Sequence, residues 1–190
     1  MGTEALEQAF ASTRKVLANV KPDQLDQPTP CESWDVRRLV NHIVGGSYWF
    51  AASTDAGQAP EVDTTEDTDY AAGDRVAAFD EGIKRAVAAF SAEGAQEKMI
   101  KLPFGEFPGA ILMGLATTDT FTHGWDLARA TGQDANLEPE LAEQLLAGAK
   151  MSIPDEFRGP DGVAPFGPEV KVPDSAPAAD RLAGFLGRTP

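Results

Sequence analysis

The stretch AILMGLATTDTFTHGWDLARATG, residues 110–132, decides the fold. Leu112, Leu115, Asp119, His123 and Leu127 recur at spacings of three and four, the row that one face of an α-helix presents. Pro108 suits the start of this helix and Gly132 its end, in keeping with proline at the first helical turn and glycine just past the last. Two positions on the row, Asp119 and His123, are polar. Four residues apart on a helix, they leave the same face about 6 Å from one another. Polar side chains turned toward a core are costly unless they are paired or bound. The fourth helix therefore carries a demand for a partner.

The chain holds one further histidine, His42. The spacing predicts a second helix that starts near Ser33 as N-cap, with Asp35 in its first turn to complement the helix dipole. It continues through Val36, Leu39, Val40 and Ile43 past Trp49. Leu39, His42, Gly46 and Trp49 form one row, so His42 faces inward as well. Around these two segments the pattern predicts a first helix over 3–19, with Thr3 able to cap it and Leu6, Phe10, Thr13, Leu17 and Val20 on one stripe. Pro22, Pro28 and Pro30 break the chain between the first two helices. Residues 54–73, poor in large apolar groups, read as a long exposed crossover, partly mobile. A third helix follows over 74–92, burying Val76, Phe79, Ile83, Val87 and Phe90.

The segment KMIKLPFGEFPG, 98–109, alternates and then turns, which predicts short extended pieces. A fifth helix over about 138–150 begins with Pro139. From 153 to 177 the chain is dense in Pro and Gly, and a last short helix over about 176–186 carries Leu182, Phe185 and Leu186. The expected architecture is all-α, a four-helix bundle with a long crossover. The expected division is a bundle over 1–152 and a C-terminal extension over 153–190 whose short helix packs on it.

A formal net charge of -14 and a pI near 4.4 repel phosphate backbones and anionic lipid, so neither nucleic acid nor a membrane is an expected partner. Cys31 is the only cysteine, which rules out an intrachain disulfide. The first residues, MGTEALEQAF, lack the basic and apolar regions of a signal peptide, and Leu6 stands where a myristoylation signal needs Ser or Thr. No apolar run is long enough to span a membrane. A soluble cytoplasmic protein is the expectation.

Two imidazoles and one carboxylate make a three-ligand set with positions left for water or substrate, the pattern of catalytic zinc. The same set suits iron(II). An equally simple arrangement is an Asp119–His123 hydrogen bond with His42 bonded to a backbone carbonyl, and spacing alone does not separate the two. Asp126, three residues after His123, can accept a hydrogen bond from its non-ligating nitrogen or pair on the surface with Arg129 or Arg37. Trp34, Trp49 and Trp125 read as packing residues, with Trp49 the best placed to wall a pocket. Cys31 lies two residues before the predicted N-cap, where a helix dipole can lower a thiol pKa; an inert thiol fits as well. The Gly105–Glu106 turn is a further candidate for lining a cleft. No phosphate-binding glycine loop is present.

The segments TPCESWDVRRLVNHIVGG (29–46) and TDTFTHGWDLARATGQ (118–133) resemble the DinB/YfiT-like metal-binding superfamily, in its actinobacterial branch that includes the metal-binding domain of mycothiol-dependent maleylpyruvate isomerase. The likeness spans about residues 5–150. It implies a four-helix bundle holding one divalent metal ion, zinc first and nickel or iron as alternatives, on His42, Asp119 and His123. Aspartate stands at 119 where the isomerase-like pattern has glutamate and many relatives have histidine. The resemblance further implies a metal-dependent transferase or isomerase in which a small thiol such as mycothiol attacks an electrophilic substrate, and relatives often pair as homodimers. The isomerase relative carries a substantial C-terminal domain, whose substrate-binding residues have no counterpart to carry over here. Against this stand two other readings, a non-catalytic metal-binding or ligand-sensing module and a metal-free structural bundle.

Overall fold

A computed structural model describes residues 2–61, 68–160, 163–164 and 166–190. Six α-helices and one small hairpin occur among them: α1 (Glu4–Ala18), α2 (Val36–Ala56), α3 (Arg75–Ser91), the strands β1 (Met99–Leu102) and β2 (Gly105–Pro108), α4 (Gly109–Ala130), α5 (Pro139–Ser152) and α6 (Ala178–Phe185). The expected all-α bundle is what forms. Helix α2 packs on α3 and α4, and α1 packs on α4 and α3, so the four enclose one core. Its largest buried side chains include Leu6, Phe10, Leu39, Phe79, Phe90, Leu112, Phe121 and Leu127. The rings of Phe10 and Phe79 meet edge to face with centroids 5.7 Å apart.

Helix α2 begins after Asp35 rather than Ser33. The Asp35 carboxylate accepts the Arg38 N–H at 2.8 Å, and a carboxylate caps the positive helix end better than a hydroxyl. Ser33 is drawn instead into a tight loop, closed by the Trp34 N–H donating to Cys31 O at 2.8 Å and by the Thr29 hydroxyl donating to Trp34 O at 2.9 Å. The crossover after α2 is tied at both ends. Ala59 N–H donates to Lys101 O at 2.8 Å, and Lys98 Nζ donates to Thr54 O and Asp55 O at 3.0 and 2.8 Å, a cation at a helix C-terminus. At the far end Tyr70 stacks on Tyr48, centroids 6.0 Å apart, and Arg37 pairs with Asp69 at 2.9 Å. The middle of the crossover, 62–67, lies outside the described residues, and with it the expected mobility.

On α3 the inward face is Phe79, Gly82, Ala86, Ala89 and Phe90, while Val76, Ile83 and Val87 are half-buried at its edges. On α4, Leu115 is 37 % exposed and Ala116 takes the core position one residue on. Over its last two turns α4 is buried nearly all round, from Thr120 to Ala128, because α1, α2 and α6 enclose it. Helix α5 packs on α6 and α1, and α6 on α4.

Gly124 marks a close approach of α1 to α4. A Cβ there would lie 2.2 Å from Thr13 Oγ1 and 3.3 Å from Thr13 Cα, and the same hydroxyl donates to Thr120 O at 2.9 Å. Gly124→Ala is therefore expected to lower the unfolding free energy by about 1–3 kcal/mol through overpacking, although alanine is the better helix former by about 1 kcal/mol. Urea denaturation checks this; an unchanged or raised midpoint would contradict the close approach.

Candidate functional site

The three residues expected to share a site do meet. His42 comes from α2, and Asp119 and His123 come from successive turns of α4. His42 Nε2 lies 3.4 Å from Asp119 Oδ1, and His123 Nε2 lies 3.5 Å from the same oxygen. All three donor atoms fall within 4.8 Å of one another. A charge-assisted N–H···O bond is shorter, at about 2.7–2.9 Å, so these groups converge without closing on each other. The two imidazoles stand edge to face, centroids 4.7 Å apart.

Behind His123 lies a second layer. Its Nδ1 is 3.0 Å from Asp126 Oδ2, which selects Asp126 from the alternatives in the sequence as the acceptor for the nitrogen that faces away from Asp119. With Nδ1–H donating there, Nε2 is the nitrogen turned toward Asp119. Asp126 is fully buried; Cys31 Sγ donates to it at 3.3 Å, and Arg188 Nε and Nη2 donate at 3.4 and 3.3 Å. Neither Arg37 nor Arg129 pairs with it: Arg37 holds Asp69, and Arg129 lies over the Trp125 ring at 5.6 Å. Arg188 was not foreseen, because a contact 62 residues distant leaves no periodic trace in a sequence.

Cys31, His123 and Asp126 form a second group with metal-ligand atoms close together. Arg188 Nη2 lies 3.6 Å from Cys31 Sγ and 3.3 Å from Asp126 Oδ2, so a dication placed there would face a guanidinium. This group supports the first one and is ill suited to an ion of its own.

Trp34 stacks on His123 and tilts over His42, with centroids 5.4 and 4.7 Å away. It lines the pocket; Trp49 does not. Trp49 sits two helical turns beyond His42, against the edge of Phe50. Trp125 is a packing residue whose Nε1–H donates to Asp180 at 2.9 Å. Gly105 and Glu106 belong to β2, at the other end of α4, and do not line the pocket either. The pocket holds about 840 Å³ and is lined by His42, Asp119 and His123, by the 29–34 loop, and by residues of the 159–168 and 186–189 segments.

Burial opposes charge on Asp119, yet the neighbouring His42 and His123 outweigh it and hold its carboxyl well below the usual range. For His123 burial favours the neutral ring, but the Asp119 charge and the hydrogen bonds the ring makes with Asp119, Asp126 and Cys31 raise its pKa well above the ordinary 6.5. Asp126 also stays ionised: burial is overcome by the Arg188 charge and the bond to His123.

The signs give a pH dependence for the metal-free protein. The folded pKa of His123 lies above its unfolded value, so the pairing adds stability that is fully present below about pH 6.5 and is lost as the pH climbs through the folded value. The folded pKa of Asp119 is depressed, so its contribution is present above about pH 4 and is lost as the pH falls through the folded value. Denaturation in the presence of chelator should show stability declining from pH 6.5 upward, with Asp119→Asn flattening that decline. An equal slope in both proteins would contradict the pairing.

The family model described as the mycothiol maleylpyruvate isomerase N-terminal domain matches residues 6–128. Two uncharacterized proteins of Mycobacterium tuberculosis, from strains CDC 1551 / Oshkosh and H37Rv, are each 41% identical over 193 residues, covering 100% of this chain and 97% of theirs. No solved structure matches the chain.

Proposed function

The chain belongs to the family of mycothiol maleylpyruvate isomerase N-terminal domains, within the DinB-like superfamily, and from that membership we propose that it is a metal-dependent transferase or isomerase working with a low-molecular-weight thiol such as mycothiol. His42, Asp119 and His123 would hold one divalent ion, zinc first and nickel or iron by the same donors. The observation that carries this reading is the spacing of the donor atoms. Two ligands bound tetrahedrally to one zinc at about 2.0–2.1 Å lie about 3.3–3.4 Å apart, and His42 and His123 stand 3.4 and 3.5 Å from the Asp119 oxygen. The donor set fits the ion.

A divalent ion bound there supplies a Lewis acid that lowers the pKa of a thiol or water brought against it. The remaining work falls to the chain. Asp126 holds the His123 ring and its tautomer, and Trp34 packs against both imidazoles. The pocket of about 840 Å³ accommodates a small thiol together with its electrophile. Among the described residues no helix is long and apolar enough to cross a membrane.

Protein purified without chelator or affinity tag should carry about one divalent ion per chain by elemental analysis, and His42→Ala, Asp119→Ala and His123→Ala should each lose it. With mycothiol and a generic electrophile the intact protein should consume thiol, and the histidine variants should not. Metal binding without thiol turnover would favour the binding or sensing module. Absence of metal, with thermal stability unmoved by added zinc, nickel or iron, would leave only the hydrogen-bonded bundle.

A further inference from the structure

Arg188 lies outside the three donors, yet it is the residue by which the C-terminal segment enters the site. Its side chain is 13 % exposed, and its Nη1 donates to Leu186 O at 3.0 Å, which fixes the guanidinium plane. The other edge of the fork spans the Asp126 carboxylate, Nε toward Oδ1 at 3.4 Å and Nη2 toward Oδ2 at 3.3 Å. Contacts at both oxygens favour one orientation of the carboxylate about its last bond. Oδ2 is thereby held against His123 Nδ1 at 3.0 Å.

We infer that Arg188 is a positioning residue for the His123 ligand, acting through Asp126, so that its contacts with the Asp126 carboxylate set the metal affinity of the site. The inference rests on the metal reading above. The distinction from a plain anchor follows from how the segment is held. Trp125 Nε1–H ties α6 to α4 through Asp180, Arg181 pairs with Glu143 on α5, and Arg188 N–H donates to Ala183 O at 2.9 Å. Gly187, at φ 92°, turns the chain where a Cβ would lie 2.5 Å from Gly167 Cα. These contacts fix the path of the segment without the guanidinium. What the guanidinium adds is the grip on Asp126.

Zinc affinity of the full chain, measured by competition with a chromophoric chelator, tests this. Arg188→Gln should weaken zinc binding about 10–100-fold, the usual cost of losing a partner behind a ligand, and Asp126→Asn should do the same. The double variant should bind no more weakly than Asp126→Asn alone, since both changes cut one line of action. Arg188→Lys, which keeps the charge but not the fork, should recover part of the loss and serves if Arg188→Gln does not fold. Arg181→Gln, which loosens the same segment away from the site, should bind zinc like the unaltered protein. Unchanged affinity in Arg188→Gln, losses that multiply in the double variant, or an equal loss in Arg181→Gln would each overturn the role of Arg188 while leaving the metal site standing. An unaltered protein that takes up no zinc would overturn the metal reading, and this inference with it.

Discussion

A carboxylate with no exposure to solvent, Asp126, is the point on which the surrounding structure depends. A buried charge must find partners or be neutralised, and removing one member of such a pair costs about 3–5 kcal/mol. Asp126 meets this with an imidazole from its own helix, a thiol from the 29–34 loop and a guanidinium from the C-terminal segment. Two separate stretches of chain are thereby drawn to one turn of α4. Those same stretches line the pocket. The cost of burying the acid is thus met by the groups that build the site.

The four residues His123-Gly-Trp-Asp126 divide the labour of that turn. His123 points toward Asp119 and His42; Gly124 lets α1 come close; Trp125 reaches Asp180 on α6; Asp126 holds His123 from behind. Consecutive residues on a helix leave it about 100° apart, so four in a row can address four different neighbours. This is why α4 is buried nearly all round at its C-terminal end. It also explains why a compact motif there carries information about the whole fold.

Much of this was legible from sequence where one helix settles it. Asp119 and His123 share a face because of their four-residue spacing, and His42 lies on the inward row of α2 because Leu39 precedes it by one turn. The same logic misjudged residues at the edge of a row. Leu115 is more than a third exposed because Ala116 takes the core position, and Trp49 lies too far along α2 to reach the site. Trp34 and Cys31 precede α2 in a loop with no periodicity, so nothing local showed that they fold over the histidines. Arg188 was beyond reach altogether, since it meets its partner only through tertiary folding. Departures of this kind concentrate around the site, where loops rather than helices set the geometry.

A divalent ion held as proposed would sit on His42, Asp119 and His123, with Cys31 in support behind them. X-ray absorption at the zinc edge, on protein loaded with one equivalent and kept free of small thiols, tests it most directly. The expected spectrum has nitrogen and oxygen neighbours near 2.0–2.1 Å, with imidazole scattering and no sulfur. A zinc–sulfur shell near 2.3 Å would place the ion at Cys31, His123 and Asp126 and contradict the account.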